Sequence, residues 1–183
     1  MASELRVDKI IPTSGVPTGG AGGVIQIVEV NTNTEQTISS TTPTTVLTAS
    51  ITPKFSTSKI RIELNIFAYH MNYYDGYVGL YRGSSSTVIT GTSQGSYSDQ
   101  ASVMLRQGSF EDQTGNGDYQ CNPTYYSYFD TAGTTSQISY VAKAFTNGGS
   151  SYPTYINRSH YRGQSNNNFP KLVSTLTLTE HSA

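Results

Sequence analysis

Six carboxylates are the candidates for acid–base catalysis: Asp75, Asp99, Glu111, Asp112, Asp118 and Asp130. Hydrolysis of a glycan needs two carboxyl groups about 5–10 Å apart. Glu111 and Asp112 are adjacent, so on a strand their side chains would point to opposite faces. Asp75, Asp99 and Asp118 stand beside Gly or Ser in predicted turns, where Asp commonly bonds to nearby backbone. The pattern favours turns over a catalytic pair, and we predict a non-enzymatic protein with no catalytic residues.

The histidines and the cysteine do not match a known catalytic or metal-binding motif. His70, His160 and His181 are far apart and match no HxH or HExxH spacing, and Cys121 is the only cysteine. We therefore predict no metal site and no internal disulfide. The glycine run at 19–23 precedes a predicted strand rather than a helix, so it lacks the helix N-terminus of a phosphate loop. No cofactor is expected. Asn157-Arg158-Ser159 matches the glycosylation sequon, which is short enough to occur often by chance.

Charge is sparse and balanced. The 183 residues carry 11 basic and 12 acidic side chains, a net charge of −1, and only 13% of positions are charged, against roughly 25% in an average soluble domain. No basic stripe is available to neutralise phosphates, so nucleic acid is not an expected partner. No apolar stretch of about 18 residues occurs, so membrane insertion is not expected.

The sequence divides into two regions. We predict an N-terminal anchoring arm with a glycine-rich hinge at residues 1–23 and a β-sandwich body at residues 24–183. Gly-rich stretches behave as flexible coils and Pro cannot donate to a strand ladder, so the arm adds little to a compact core. Its apolar side chains are the predicted anchoring residues: Leu5, Val7, Ile10, Ile11 and Val16. A disordered terminus is the alternative.

Short β-branched runs separated by turn signals fill the body, and no window sustains helical spacing with caps. Nine strands are predicted, at residues 24–30, 45–51, 59–71, 76–82, 87–91, 100–110, 125–130, 137–145 and 171–180. Residues 59–66 alternate without a break, with Ile60, Ile62, Leu64 and Ile66 on one face. These strands predict an all-β fold: a two-sheet antiparallel sandwich, jelly-roll-like, preceded by an extended N-terminal arm.

Fourteen tyrosines provide most of the aromatic area. A tyrosine ring with a hydroxyl suits both sugar recognition and protein interfaces, although Tyr in strands is also common as half-buried sheet packing. Two groups lie near predicted turns and polar residues. Their members are the candidates for receptor or glycan binding: Tyr73, Tyr74, Tyr97, Tyr119, Tyr125 and Tyr126.

The N-terminal segment, or leader, contains three characteristic sequence motifs: Ser3-Glu4-Leu5-Arg6-Val7-Asp8-Lys9-Ile10-Ile11-Pro12, then Gly15-Val16-Pro17-Thr18-Gly19-Gly20, then Gly22-Gly23-Val24-Ile25-Gln26-Ile27-Val28. It resembles the N-terminal leader of virion structural proteins of tailed phages, notably marine cyanophages. The body is similar to the β-rich domain of the same proteins at Ser58-Lys59-Ile60-Arg61-Ile62, Leu80-Tyr81-Arg82-Gly83, Tyr128-Phe129-Asp130, Ser139-Tyr140-Val141, Tyr155-Ile156-Asn157-Arg158-Ser159 and Ser174-Thr175-Leu176-Thr177-Leu178-Thr179-Glu180. The family usually ends in Glu-Ile, whereas Glu180 is followed here by His181-Ser182-Ala183.

The resemblance implies a fibre or appendage of the tail, neck or head, located in the virion after assembly in the host cytoplasm. It implies other virion proteins as partners through the arm, a homotrimer, and an outward sandwich for host adsorption, with a host surface glycan as a candidate receptor. Two alternatives stay open: a carbohydrate-binding, lectin-like module and a capsid decoration protein.

Overall fold

A computed structural model describes residues 23–70, 76–83, 103–105, 121–146, 148–158 and 172–182. Residues 1–22 of the arm, and with them Leu5, Val7, Ile10, Ile11 and Val16, lie outside the described residues. The strands are β1 (Val24–Thr32), β2 (Gln36–Ile38), β3 (Thr44–Ile51), β4 (Lys59–His70), β5 (Gly76–Arg82), β6 (Val103–Leu105), β7 (Asn122–Thr131), β8 (Ile138–Thr146), β9 (Thr154–Ile156) and β10 (Ser174–His181). A single-turn 3-10 helix spans Gly149–Ser151.

Two antiparallel sheets form a sandwich. Sheet 1 runs in the order β1-β10-β4-β7, with β9 and β2 continuing it on the β10 side of β4, and sheet 2 runs β3-β8-β5-β6. All the described strand pairs are antiparallel. Successive strands alternate between the two sheets from β1 through β3 and β4 to β5, and again from β6 through β7 and β8 to β10. This is the strand order of a jelly roll. The predicted fold class is confirmed.

The core lies between the inner faces of the two sheets. Ile60, Ile62, Leu64 and Ile66 of β4 are all buried there, as their alternation predicted. Leu176 and Leu178 of β10 pair with Leu64 and Ile62 and complete the central row of sheet 1. Each of these branched side chains contributes about 1.5–3 kcal/mol when fully buried. This aliphatic row holds sheet 1 on sheet 2.

The predicted strands whose residues are described agree with the observed ones within a few residues, and of the predicted strand at 100–110 only residues 103–105 are described. Two short strands are additional. β2 and β9 contain three residues each and pair with each other, and β9 also pairs with the end of β4. Three residues are too few to display an alternating pattern. These strands form because β4 extends beyond its pairing with β10 and leaves backbone groups that β9 satisfies. The predicted strand at 87–91 lies outside the described residues.

Candidate interaction surface

The outer face of sheet 1 is defined by the side chains that alternate with the core. Register across β1, β10, β4 and β7 places them in cross-strand rows. One row contains Ile27, Thr179, Arg61 and Phe129; the next contains Glu29, Thr177, Glu63 and Ser127; a third contains Asn31, Thr175, Asn65 and Tyr125. The central β10 column of this face therefore bears hydroxyls, the central β4 column is charged or amide-bearing, and the large apolar side chains lie on the outer strands β1 and β7.

Three large side chains are exposed on this face. Ile27 on β1 is 62% exposed, Tyr125 on β7 is 59% exposed, and Phe129 on β7 is 54% exposed. The Phe129 ring also lies 5.7 Å from the His181 imidazole, centroid to centroid. Ile27 and Phe129 belong to one row, so apolar surface flanks the face on both sides.

The charged groups on this face are bonded within the chain. Arg61 forms an ion pair with Glu63 at 2.9 Å, and the Tyr125 hydroxyl donates to the same carboxylate. The Lys59 ammonium donates to the Thr131 hydroxyl at 2.7 Å. Each exposed pair of this kind contributes about 0–1 kcal/mol to stability. The positive and negative side chains on this face also offset each other's charge.

The outer face of sheet 2 is different because its aromatic side chains are buried. Tyr77 and Tyr81 alternate with the core residues of β5, and both are almost inaccessible. Tyr77 stacks on Phe145 with ring centroids 4.7 Å apart, and the Lys143 ammonium lies 4.4 Å from the centre of the Tyr81 ring. Burial raises the pKa of Tyr81 to about 12. These two tyrosines therefore pack within the fold, and their rings are not exposed for binding a receptor or glycan.

Of the six tyrosines predicted to bind a receptor or glycan, two are described. Tyr125 lies on the outer face of sheet 1. Its neighbour Tyr126 points the other way and is half buried against the core, because adjacent strand residues face opposite sides. Tyr73, Tyr74, Tyr97 and Tyr119 lie outside the described residues.

Asp130, one of the six candidate carboxylates, connects the two sheets. It forms an ion pair with Arg82 of β5 at 2.8 Å and accepts a hydrogen bond from the Tyr140 hydroxyl of β8 at 2.9 Å. Burial and the Asp130 carboxylate both raise the pKa of Tyr140. Arg82 also donates to the carbonyls of Thr131 and Ala132. The carboxylate is thereby engaged in joining β7 to sheet 2.

Glu180 is an interior carboxylate whose role the sequence analysis missed. It is completely buried near the end of β10 and accepts hydrogen bonds from the Gln26 amide, the Ser58 hydroxyl at 2.6 Å, and the backbone N–H groups of Lys54 at 2.7 Å and Phe55 at 3.4 Å. Burial alone would raise the pKa of Glu180, but these hydrogen bonds outweigh it and lower the pKa below its ordinary value. The ionised group fastens the β3–β4 loop to β1 and β10.

Asn157 is a second buried polar residue with a structural role. Its backbone is left-handed, with φ of 57°, a conformation that Asn tolerates better than most residues. Its amide donates to the carbonyls of Thr32 at 3.0 Å and Thr34 at 3.1 Å, and its side-chain oxygen accepts from the Ser174 hydroxyl at 2.6 Å. The sequon's asparagine is thus fully buried and engaged in joining β1, β9 and β10.

Cys121 is a partly buried free thiol. Burial raises the pKa of the Cys121 thiol to about 12, an effect that a hydrogen bond with the Arg158 backbone only partly offsets. Such a thiol is protonated at neutral pH and is a poor nucleophile. No three His, Cys, Asp or Glu side chains are grouped to hold a metal ion among the described residues. Within the same ranges, no helix has the length and apolarity to cross a membrane.

Comparison with known proteins gives no assignment. No protein-family model matches the chain, and no curated protein matches it. The candidate surface is therefore interpreted from its own geometry. It offers neutral, partly apolar contact area of the kind found at protein interfaces.

Proposed function

We propose that this chain is a non-enzymatic structural protein of a tailed-phage particle, a fibre or appendage of the tail, neck or head. Residues 1–23 attach it to other virion proteins, and the sandwich body faces outward as a homotrimer, with a host surface glycan as the candidate receptor. Assembly takes place in the host cytoplasm. The leader residues and the strand motifs carry the resemblance on which this proposal is based.

One observation supports the proposal most. Asp130 and Glu180 are engaged in joining strands, whereas the large exposed side chains Ile27, Tyr125 and Phe129 lie on an open sheet face. These two carboxylates thus hold strands of the body together, and the exposed side chains provide contact area on its outside. Jelly rolls occur in viral capsid and lectin domains, and the fold by itself is only an analogy for function.

The arm leaves the body at the start of β1. Gly23 is held to Ser182 by two hydrogen bonds, one from the Ser182 N–H to the Gly23 carbonyl at 2.9 Å and one from the Gly23 N–H to the Ser182 hydroxyl at 3.1 Å. The β1–β10 ladder continues from there to Thr32. The pairing has a bulge between Val24 and Gln26, and an attached arm would be braced by the strand pair on either side of it.

Replacing Leu5, Val7, Ile10, Ile11 and Val16 with Ser in the full chain is expected to reduce its incorporation into purified particles by at least about tenfold, since each buried aliphatic side chain contributes about 1.5–3 kcal/mol. Quantitative mass spectrometry of the particles measures this. The matched control replaces Thr13, Ser14 and Thr18 with Ala and should incorporate normally. Normal incorporation of the apolar-to-Ser variant would contradict an anchoring arm.

A lectin-like module is the second candidate, and Tyr125 and Phe129 favour it because exposed rings on one face can stack on sugars. It differs from the first proposal in what the arm does. A free lectin would bind a glycan equally well with the five arm substitutions, and would lose binding on Tyr125→Ala. Glycan binding without any incorporation into particles would favour this candidate.

A further inference from the structure

We infer that the outer face of sheet 1 is the surface through which copies of this chain associate, so that its occupant is a second copy of the same chain. The inference rests on the self-assembly part of the proposed function and is independent of attachment to a particle. The residues that support it are the exposed Ile27, Tyr125 and Phe129 and the ion pair Arg61–Glu63.

Three of the large exposed side chains of the body lie on this one face. Single exposed hydrophobic residues are ordinary, but here three large side chains occupy one face of one sheet, two of them in the same row. Tyr and Phe are enriched at protein interfaces. The outer face of sheet 2, by contrast, has its aromatic side chains buried.

The charge balance of this face allows a second copy as the occupant. Lys59 and Arg61 balance Glu29 and Glu63 on this face, so it carries no net charge that would repel the next copy. Arg61 and Glu63 pair with each other within the chain, and Lys59 donates to the Thr131 hydroxyl, so these groups keep their hydrogen-bond partners when the face is covered.

The size of the face is sufficient for a specific contact. Four strands spaced about 4.8 Å apart and about eight residues long, at about 3.3 Å each, give a plan area on the order of 500 Å². A contact that covers this face on one copy and an equal area on the next buries about 1,000 Å², the lower limit for a biological interface. A sheet face of this extent suits another protein surface more than a small ligand, which needs a concave site.

The test is the mass of the full chain in solution by light scattering across a dilution series. We expect a wild-type mass of three times 19.8 kDa, and a dissociation constant at least about tenfold larger for each of Ile27→Lys and Phe129→Lys, because each change replaces apolar contact area with a charge that has no counter-charge in the interface. Phe55→Lys is the matched control, because Phe55 is exposed but lies in the β3–β4 loop, away from this face. It should assemble as the wild type does.

A wild-type chain that is monomeric throughout the series would overturn the inference, as would an assembly that both substitutions leave intact. Circular dichroism and thermal unfolding establish that the variants are folded. Should the Lys variants fail to fold, Ser127→Arg introduces bulk and charge at an exposed position of the same face, and an unchanged mass would overturn the inference. If the chain is monomeric but still enters particles through its arm, only self-association is overturned. If the chain assembles but the arm substitutions do not change its incorporation into particles, only the proposed attachment to the particle is overturned.

Discussion

Replacing Glu180 with Ala is expected to lower the free energy of unfolding by about 3–5 kcal/mol, because four donors lose their acceptor in a buried place. Those donors are the Ser58 hydroxyl, the Gln26 amide and two loop N–H groups. Urea unfolding followed by circular dichroism measures the change. Glu180→Gln keeps the volume and one acceptor oxygen, and should lose less than the Ala variant.

Glu29→Gln is the matched control for Glu180. Glu29 is an exposed carboxylate on sheet 1 that accepts a hydrogen bond from Thr177 at 3.3 Å, and its substitution should change stability by no more than about 0.5 kcal/mol. An Ala variant at 180 as stable as this control would mean that water replaces the carboxylate at no cost, which contradicts the proposed role of Glu180.

The same carboxylate predicts a pH dependence. The pKa of Glu180 in the folded chain lies below the ordinary value of 4.5, so its stabilising contribution is fully present above about pH 4.5. It is lost as the pH falls from there through the lower folded pKa. The wild-type chain should therefore lose more stability below pH 4.5 than Glu180→Gln, which cannot titrate at this position. Equal acid sensitivity of the two chains would rule out this assignment.

Replacing Asn157 with Ala is expected to cost about 3–4 kcal/mol of unfolding free energy. The carbonyls of Thr32, at the end of β1, and of Thr34, in the β1–β2 connection, lose their amide donor, and the Ser174 hydroxyl loses its acceptor. Ala must also adopt the left-handed backbone at φ of 57°, which costs about 1–2 kcal/mol for an L-residue with a Cβ.

Asn157→Gly separates the two contributions. Gly loses the same side-chain hydrogen bonds but accepts the left-handed backbone without strain, so it should be about 1 kcal/mol more stable than Asn157→Ala. Asn31→Ala, at an exposed position of β1, serves as the control and should be nearly neutral. Urea unfolding distinguishes the three, and an Ala variant as stable as the control would show that the Asn157 hydrogen bonds do not hold the strands together.

Much of the fold could be predicted from local patterns. The alternation at residues 59–66 identified the inner face of β4 because neighbouring strand residues face opposite sides whatever the partner strand is. The interface surface was only partly predictable. Tyr125 was named as a binding candidate and does lie exposed on sheet 1, and Phe129 shares its face because it is four residues along the same strand. Ile27 joins them only through β10 and β4.

The sequence by itself determined that the chain is all-β, that its charge is sparse and balanced, and that one side of each regular strand is apolar. These properties depend on composition and on neighbours along the chain. Only the tertiary structure decided what Glu180 and Asn157 do, since Glu180 meets Ser58 across 122 positions and Asn157 meets Thr32 across 125. No local pattern encodes such a pair, because its members come together only when the jelly roll closes and burial makes every unpaired polar group costly.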